Sequence, residues 1–172
     1  AALAMPGLPR QHGIKPAINV TVAASTLAGL DEQPAELDGY GPIPATMARR
    51  LANLPGATIH RYAVDAQGRI VDTLAPASVS YQPSVRLARH VIARDQHCIH
   101  PGCRRRAWTC ELDHRQPWPD GPTSAENLQP LCKRHHDLKH HSRWRVRKCT
   151  DGSYAWTSPT RHTYRYRPPE LP

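Results

Sequence analysis

Two short pairs of soft ligands, Cys98-x4-Cys103 and Cys132-x2-His135, constrain this 172-residue chain more than any other feature. Cys98 and Cys103 bracket His-Pro-Gly, a tight turn that can bring two thiolates to one point. Cys132 and His135 are three apart in a breaker-free stretch that suits a helix, so they share a face. Three thiolates and an imidazole match tetrahedral Zn²⁺, and four protein ligands leave no position for water, so such a site is structural. It ties together segments about 30 residues apart, and metal binding of this kind is folding energy. The chain needs it, because only 6% of residues are aromatic and there is no Phe to fill a core. Cys110 and Cys149 lack a comparable partner; Cys110 is the nearer substitute should one ligand be misassigned. Five cysteines, an odd number, argue against a complete disulfide framework and hence against a secreted disulfide protein.

The charge is as unevenly spread as the ligands. Residues 1–85 carry six Lys/Arg and six Asp/Glu, so the whole net charge of +9 lies in residues 86–172. Eight of the eleven His fall between His90 and His141. A basic half joined to a neutral half points to an anionic partner, with nucleic acid first. Arg104, Arg105, Arg106, Lys133, Arg134, Lys139, Arg143 and Arg145 are the candidate phosphate contacts. No run of 18 apolar residues exists, which excludes a transmembrane helix. Nothing at the start reads as a secretory signal, so a cytoplasmic location is expected.

Eighteen prolines predict many turns and few long helices. The alternation Ile18-Val20-Val22 reads as a strand within residues 17–30, and the Gly/Pro-punctuated residues 31–44 read as a loop. Pro44 opens a helix over 45–54, ended by Pro55-Gly56. Residues 57–64 and 69–74 flank Asp65-Ala66-Gln67-Gly68 as a hairpin, and Ser84 caps a helix over 84–95. Trp108 to Leu112 reads as a short strand, and residues 132–141 as a helix. Trp144 to Lys148 and Tyr154 to Thr157 form a hairpin around Asp151-Gly152, and residues 158–172 read as a loosely held tail.

A second constellation lies inside the first. Asp113-His114 follows the Trp108 to Leu112 run, Asn127 comes 13 residues after His114, and His136 and His140 are one helical turn apart. Asp with one or two His can hold a divalent ion with open positions, and an uncoordinated His titrates near neutrality as a base. Neighbouring strand residues point to opposite sides, so Asp113 and His114 could flank a phosphate. An Asn amide can bridge the connecting loop and hold a His ring. At 100° per residue the Cys132/His135 and His136/His140 pairs point roughly 90° apart on one helix.

The string Asp113-His114, Gly121-Pro122-Thr123, Asn127-Leu128, Leu131-Cys132-x-x-His135-His136 and Lys139 resembles the HNH nuclease signature. The chain closely resembles HNH proteins abundant in actinobacteria that carry an upstream domain of unknown function. Leu37-Asp38-Gly39-Tyr40-Gly41-Pro42-Ile43-Pro44, Arg94-Asp95, Cys98-x-x-Pro101-Gly102-Cys103 and the Trp-rich Trp144 to Trp156 extend it over residues 18–158. The resemblance implies an α+β fold: a zinc-stabilised ββα-metal finger with a small mixed N-terminal extension and a C-terminal β-hairpin. It implies that 1–83 is the end of an upstream domain, 84–142 the nuclease core, and 143–172 a hairpin and tail. It assigns His114 as general base and Asp113 as a metal ligand. Asn127 orients the base, and His136 and His140 ligate a catalytic ion such as Mg²⁺ or Mn²⁺. The expected activity is metal-dependent DNA cleavage, with double-stranded DNA as partner. The competing expectation is a zinc-stabilised DNA-binding module without hydrolysis, which has no need for a general base.

Overall fold

The chain is described here by a computed structural model covering residues 18–71, 77 and 80–170. It is a mixed α+β protein built on small antiparallel sheets and divides into two compact units, one up to Arg61 and one spanning Tyr62–Glu170.

In the first unit, β1 (Val20–Thr21), β2 (Ala35–Leu37) and β3 (Gly41–Ile43) form an antiparallel sheet with β2 central. The stretch expected as a loop therefore contributes two strands. Gly39, at φ 86°, makes the turn between them, and Pro42 sits on edge strand β3, where its missing N–H breaks no ladder. A one-turn helix, α1 (Ala24–Leu27), follows β1, and α2 (Ala45–Ala52) starts directly after Pro44 as expected. Ala35, Ile43 and Ala48 pack into a small core with Val20, Val22, Leu37 and Leu51.

The expected hairpin at 57–74 is only partly formed. Asp65 Oδ1 accepts from the Gln67 and Arg69 amides and closes the turn, but pairing is limited to one bridge, Val64 to Ile70. Ile59, Tyr62 and Val64 are exposed while Ile70 is buried, so among the described residues the first arm has no buried face to fix a longer ladder. Residues 72–74 of that reading lie outside the described residues.

In the second unit, α3 (Val85–Asp95) is capped by Ser84, whose Oγ accepts from the Leu87 amide at 3.2 Å. A single 3₁₀ turn (Ala107–Thr109) replaces the first half of the strand expected at Trp108 to Leu112; β4 runs Glu111–His114. It pairs with β5 (Leu128–Leu131), placing Asp113 opposite Gln129 and His114 opposite Leu128. The helix α4 (Lys133–His141) follows with Cys132 at its N-cap. All four β5 residues are buried. Leu128 joins Leu87, Val91 and Ala125 of one cluster, and Leu131 joins Cys98, Ile99, Tyr154 and Trp156 of another.

The C-terminal hairpin β6 (Arg145–Lys148) and β7 (Tyr154–Thr157) forms as read. The tail does not hang loose: β8 (Thr163–Tyr166) adds a third strand to β7. Its anchor is Tyr166, whose hydroxyl donates to the Asp95 carbonyl at 2.6 Å. The Arg94 guanidinium bonds Asp95, the Tyr154 hydroxyl and the Ala125 and Leu128 carbonyls, all buried. That network fastens α3, β5 and the last sheet to one another and fixes the backbone on either side of Asn127. Among the described residues no helix is long and apolar enough to cross a membrane.

Candidate metal centres

Cys98, Cys103, Cys132 and His135 converge, with one ligand atom from each lying within 4.8 Å of the others. The backbone makes this possible at two points. The Cys103 amide donates to the His100 carbonyl and Gly102 takes φ 76°, which closes the first pair into a tight turn. Cys132 caps α4 and its carbonyl accepts from the His135 amide, which swings His135 back over the N-terminus. His135 Nδ1 lies 3.4 Å from Cys98 Sγ and 3.3 Å from Cys132 Sγ. Burial, then His100 and Arg134, lower the His135 pKa to about 4, so its ring is neutral and can offer a lone pair. Burial pushes the Cys98 thiol well above the ordinary range. A buried thiol of that kind gives up its proton when a cation takes the proton's place. Three thiols and one neutral imidazole in this arrangement could hold a metal such as zinc. Cys110 is not in the group; burial, then Cys132 and Cys103, push its thiol up to about 11, and its Sγ faces the Arg106 carbonyl. His100, which the sequence did not single out, stacks on His135 with ring centroids 3.7 Å apart and planes 6° apart. Its Nδ1 meets the Pro101 carbonyl at 3.0 Å.

Asp113, His136 and His140 form the second group, again with donor atoms within 4.8 Å. His140 Nε2 lies 2.7 Å and His136 Nε2 3.5 Å from the same oxygen, Asp113 Oδ1. His136 Nδ1 is buried without a hydrogen bond, 3.4 Å from Glu111 Oε2. The other Asp113 oxygen, Oδ2, is held by Gln129 Nε2 at 2.8 Å and Lys139 Nζ at 2.7 Å. The carboxylate is thus divided, one oxygen turned to the histidines and one fixed by donors. An Asp/His/His set with one carboxylate oxygen turned to both imidazoles could hold a divalent ion that keeps open positions.

His114 follows Asp113 on β4 and is buried. Thr123 Oγ1 meets its Nε2 at 2.8 Å, and the Tyr81 ring lies across it, with centroids 5.2 Å apart and planes 24° apart. Burial is the main cause that lowers the His114 pKa, with Lys139 adding to it and Asp113 opposing.

Asn127 does not touch the His114 ring. Its Nδ2 donates to the Gln116 and Pro122 carbonyls, both at 2.9 Å, and its Oδ1 accepts from the Gln116 amide. It closes the loop from β4 to β5, which carries Thr123, the residue bonded to the His114 ring. Gly121 makes this closure possible: a Cβ there would sit 2.6 Å from Asn127 Nδ2 and 2.5 Å from the Gln116 carbonyl.

The basic residues fall into two groups. Arg104, Arg105, Arg106 and Arg134 line an open groove beside the Cys/His cluster, and Arg143 and Arg145 are exposed. Lys133 is exposed and paired with Asp137. Lys139 departs from the expected phosphate contact: its side chain is 11% exposed and its ammonium is committed to Asp113 and the His114 carbonyl. Gln129, Thr123 and Tyr81 were not expected at the site. Gln129 and Tyr81 reach it through strand register and chain reversal, which leave no local signal; Thr123 lies in the quoted Gly-Pro-Thr loop.

The fold and the two groups define an α+β protein with a Cys₃His cluster beside an Asp/His/His cluster. No protein-family model matches the chain, and no solved structure matches it significantly. It is similar to two proteins of Mycobacterium tuberculosis (strain ATCC 25618 / H37Rv). The uncharacterized protein Rv2100 is 42% identical over 138 residues, which is 78% of this chain and 24% of that protein. The uncharacterized protein Rv3776 is 35% identical over 170 residues, 98% of this chain and 31% of that protein. The chain thus spans about a quarter to a third of the length of these relatives.

Proposed function

We propose that this chain is a metal-dependent DNA endonuclease of the HNH type, in which Asp113, His136 and His140 hold one divalent ion and His114 is the general base. The observation that carries the reading is the placement of His114 directly after Asp113, whose Oδ1 faces both helix histidines. The pair β4–β5 followed by α4 supplies the ββα order that the reading requires. A bound divalent ion would supply positive charge for the scissile phosphate and the leaving oxygen.

The chain's own part centres on the His114 ring. The Thr123 hydroxyl has one proton, directed at the Tyr81 carbonyl 3.3 Å away, so toward His114 it accepts from Nε2–H. The neutral ring then carries its lone pair on Nδ1, the atom that takes the proton of the attacking water. Burial lowers the ring's pKa and keeps that lone pair free at neutral pH. Water oxygen bonds phosphorus and gives its proton to Nδ1, while the P–O3′ bond breaks with its electron pair on O3′, which takes a proton from solvent. Exposed Arg104, Arg105, Arg134, Arg143 and Arg145 hold the polyanion's backbone. Zinc held by Cys98, Cys103, Cys132 and His135 would fix the start of α4, a structural role apart from the chemistry.

One observation favours the second reading, a zinc-stabilised DNA-binding module. Lys139 already neutralises Asp113, so that carboxylate is satisfied with no ion beside it. Plasmid nicking with and without EDTA, followed by re-addition of Mg²⁺ or Mn²⁺, separates the two. Metal-dependent nicking supports the nuclease, and DNA binding without nicking at any metal supports the module.

A further inference from the structure

Two aromatic side chains stand at the His114 ring and face outward. Tyr81 lays one face of its ring on His114, yet 62% of the residue is exposed. Trp118 lies 6.4 Å from the same imidazole, ring centre to ring centre, and is 38% exposed. A ring that served only to cover His114 would be buried itself; aromatic side chains left in water forgo their burial energy. Tyr81 therefore has one ring face in use and the other free. Arg115, the residue after His114, has a buried Nε with no hydrogen-bond partner among the described residues.

We infer that Tyr81 and Trp118 form a stacking platform for an unpaired nucleobase next to the scissile phosphate, so that DNA with a single-stranded segment is the preferred substrate class. The inference rests on the endonuclease reading and deepens it. Every base has a π-face that an aromatic side chain can stack on whatever its sequence. In a continuous duplex both faces of each base are covered by its neighbours, so only an unpaired or terminal base can meet Tyr81. The excess of positive charge in residues 86–172 draws the polyanion in, and the platform selects the part of it with free bases.

The test is a binding measurement on the full chain without added divalent ion, so that no cutting intervenes. Two oligonucleotides carry 2-aminopurine at one position, one single-stranded and one fully paired. The wild type is expected to quench the single-stranded probe on binding and to bind it more tightly than the duplex. Tyr81→Ala and Trp118→Ala should each weaken single-strand binding by about 5- to 150-fold, the range for losing one stacked base, and leave duplex binding unchanged. Tyr81→Phe should restore stacking, and unchanged zinc content shows that each variant is folded. Equal losses on both probes, or no loss on either, overturn the platform. A wild type that binds the single-stranded and paired probes equally also overturns it and leaves the endonuclease reading standing. A wild type that binds neither probe overturns both.

Discussion

The Lys139 ammonium lies 2.7 Å from Asp113 Oδ2 and donates also to the His114 carbonyl, so one side chain of α4 holds both adjacent residues of β4. Asp113 is buried, with its side chain 3% exposed, and the Lys139 side chain is largely covered at 11%. Removing one member of a buried pair strands the other, at a cost of about 3 kcal/mol. Lys139→Met is therefore expected to melt lower than wild type without added metal. A divalent ion bound beside Asp113 replaces the lost charge, so Mn²⁺ should raise the variant's Tm more than the wild type's. Thermal melts with and without Mn²⁺ check this; equal shifts would show that Asp113 faces no ion.

The Cys₃His cluster predicts about one tightly held zinc per chain in protein purified without added metal. Cys103→Ala takes away one of four ligands, and the Tyr62–Glu170 unit is expected to lose its cooperative unfolding transition as zinc content falls. Elemental analysis alongside melting checks both. A zinc-free wild type that melts at the same temperature would remove the cluster's structural role.

DNA affinity is expected to fall steeply with salt and to vary little among unrelated sequences of one strand form. With about five phosphates met by the exposed arginines, log K against log[salt] should have a slope of about −4.5. Fluorescence anisotropy at several salt concentrations measures it. Arg104→Ala and Arg134→Ala should each make the slope shallower by about one.

The pH profile has a definite sign. A general base works deprotonated, so the rate rises through its pKa. Burial moves the His114 pKa below its ordinary value of 6.5, with Asp113 opposing the shift and Lys139 adding to it. The acid limb of kcat/KM is therefore expected below pH 6.5. Thr123→Val removes the partner of Nε2 and should lower kcat at every pH.

Features encoded in a few adjacent residues were legible in the sequence. The Ser84 cap, the α4 helix, the β6–β7 hairpin and the two Cys/His pairs each depend on local spacing, and each formed. Features that depend on pairing across distance were not. β3 carries Pro42 and Gly41, poor strand residues that only an edge position tolerates, and β8 is held by Tyr166 on Asp95, 71 residues away. Lys139 shows the limit for single side chains. Its spacing on α4 is legible, but nothing local says whether a lysine turns outward to a phosphate or inward to a carboxylate.

The division of labour between His114 and His136 is the centre of this account, and plasmid nicking by the two alanine variants tests it most directly. His114→Ala is expected to lose about 10²–10⁴-fold in nicking, the usual contribution of a general base, while binding Mn²⁺ and DNA as the wild type does. His136→Ala should also lose nicking, with weaker Mn²⁺ binding, and recover part of it at high Mn²⁺. Wild-type nicking by His114→Ala would contradict the mechanism and leave a zinc-stabilised DNA-binding module in its place.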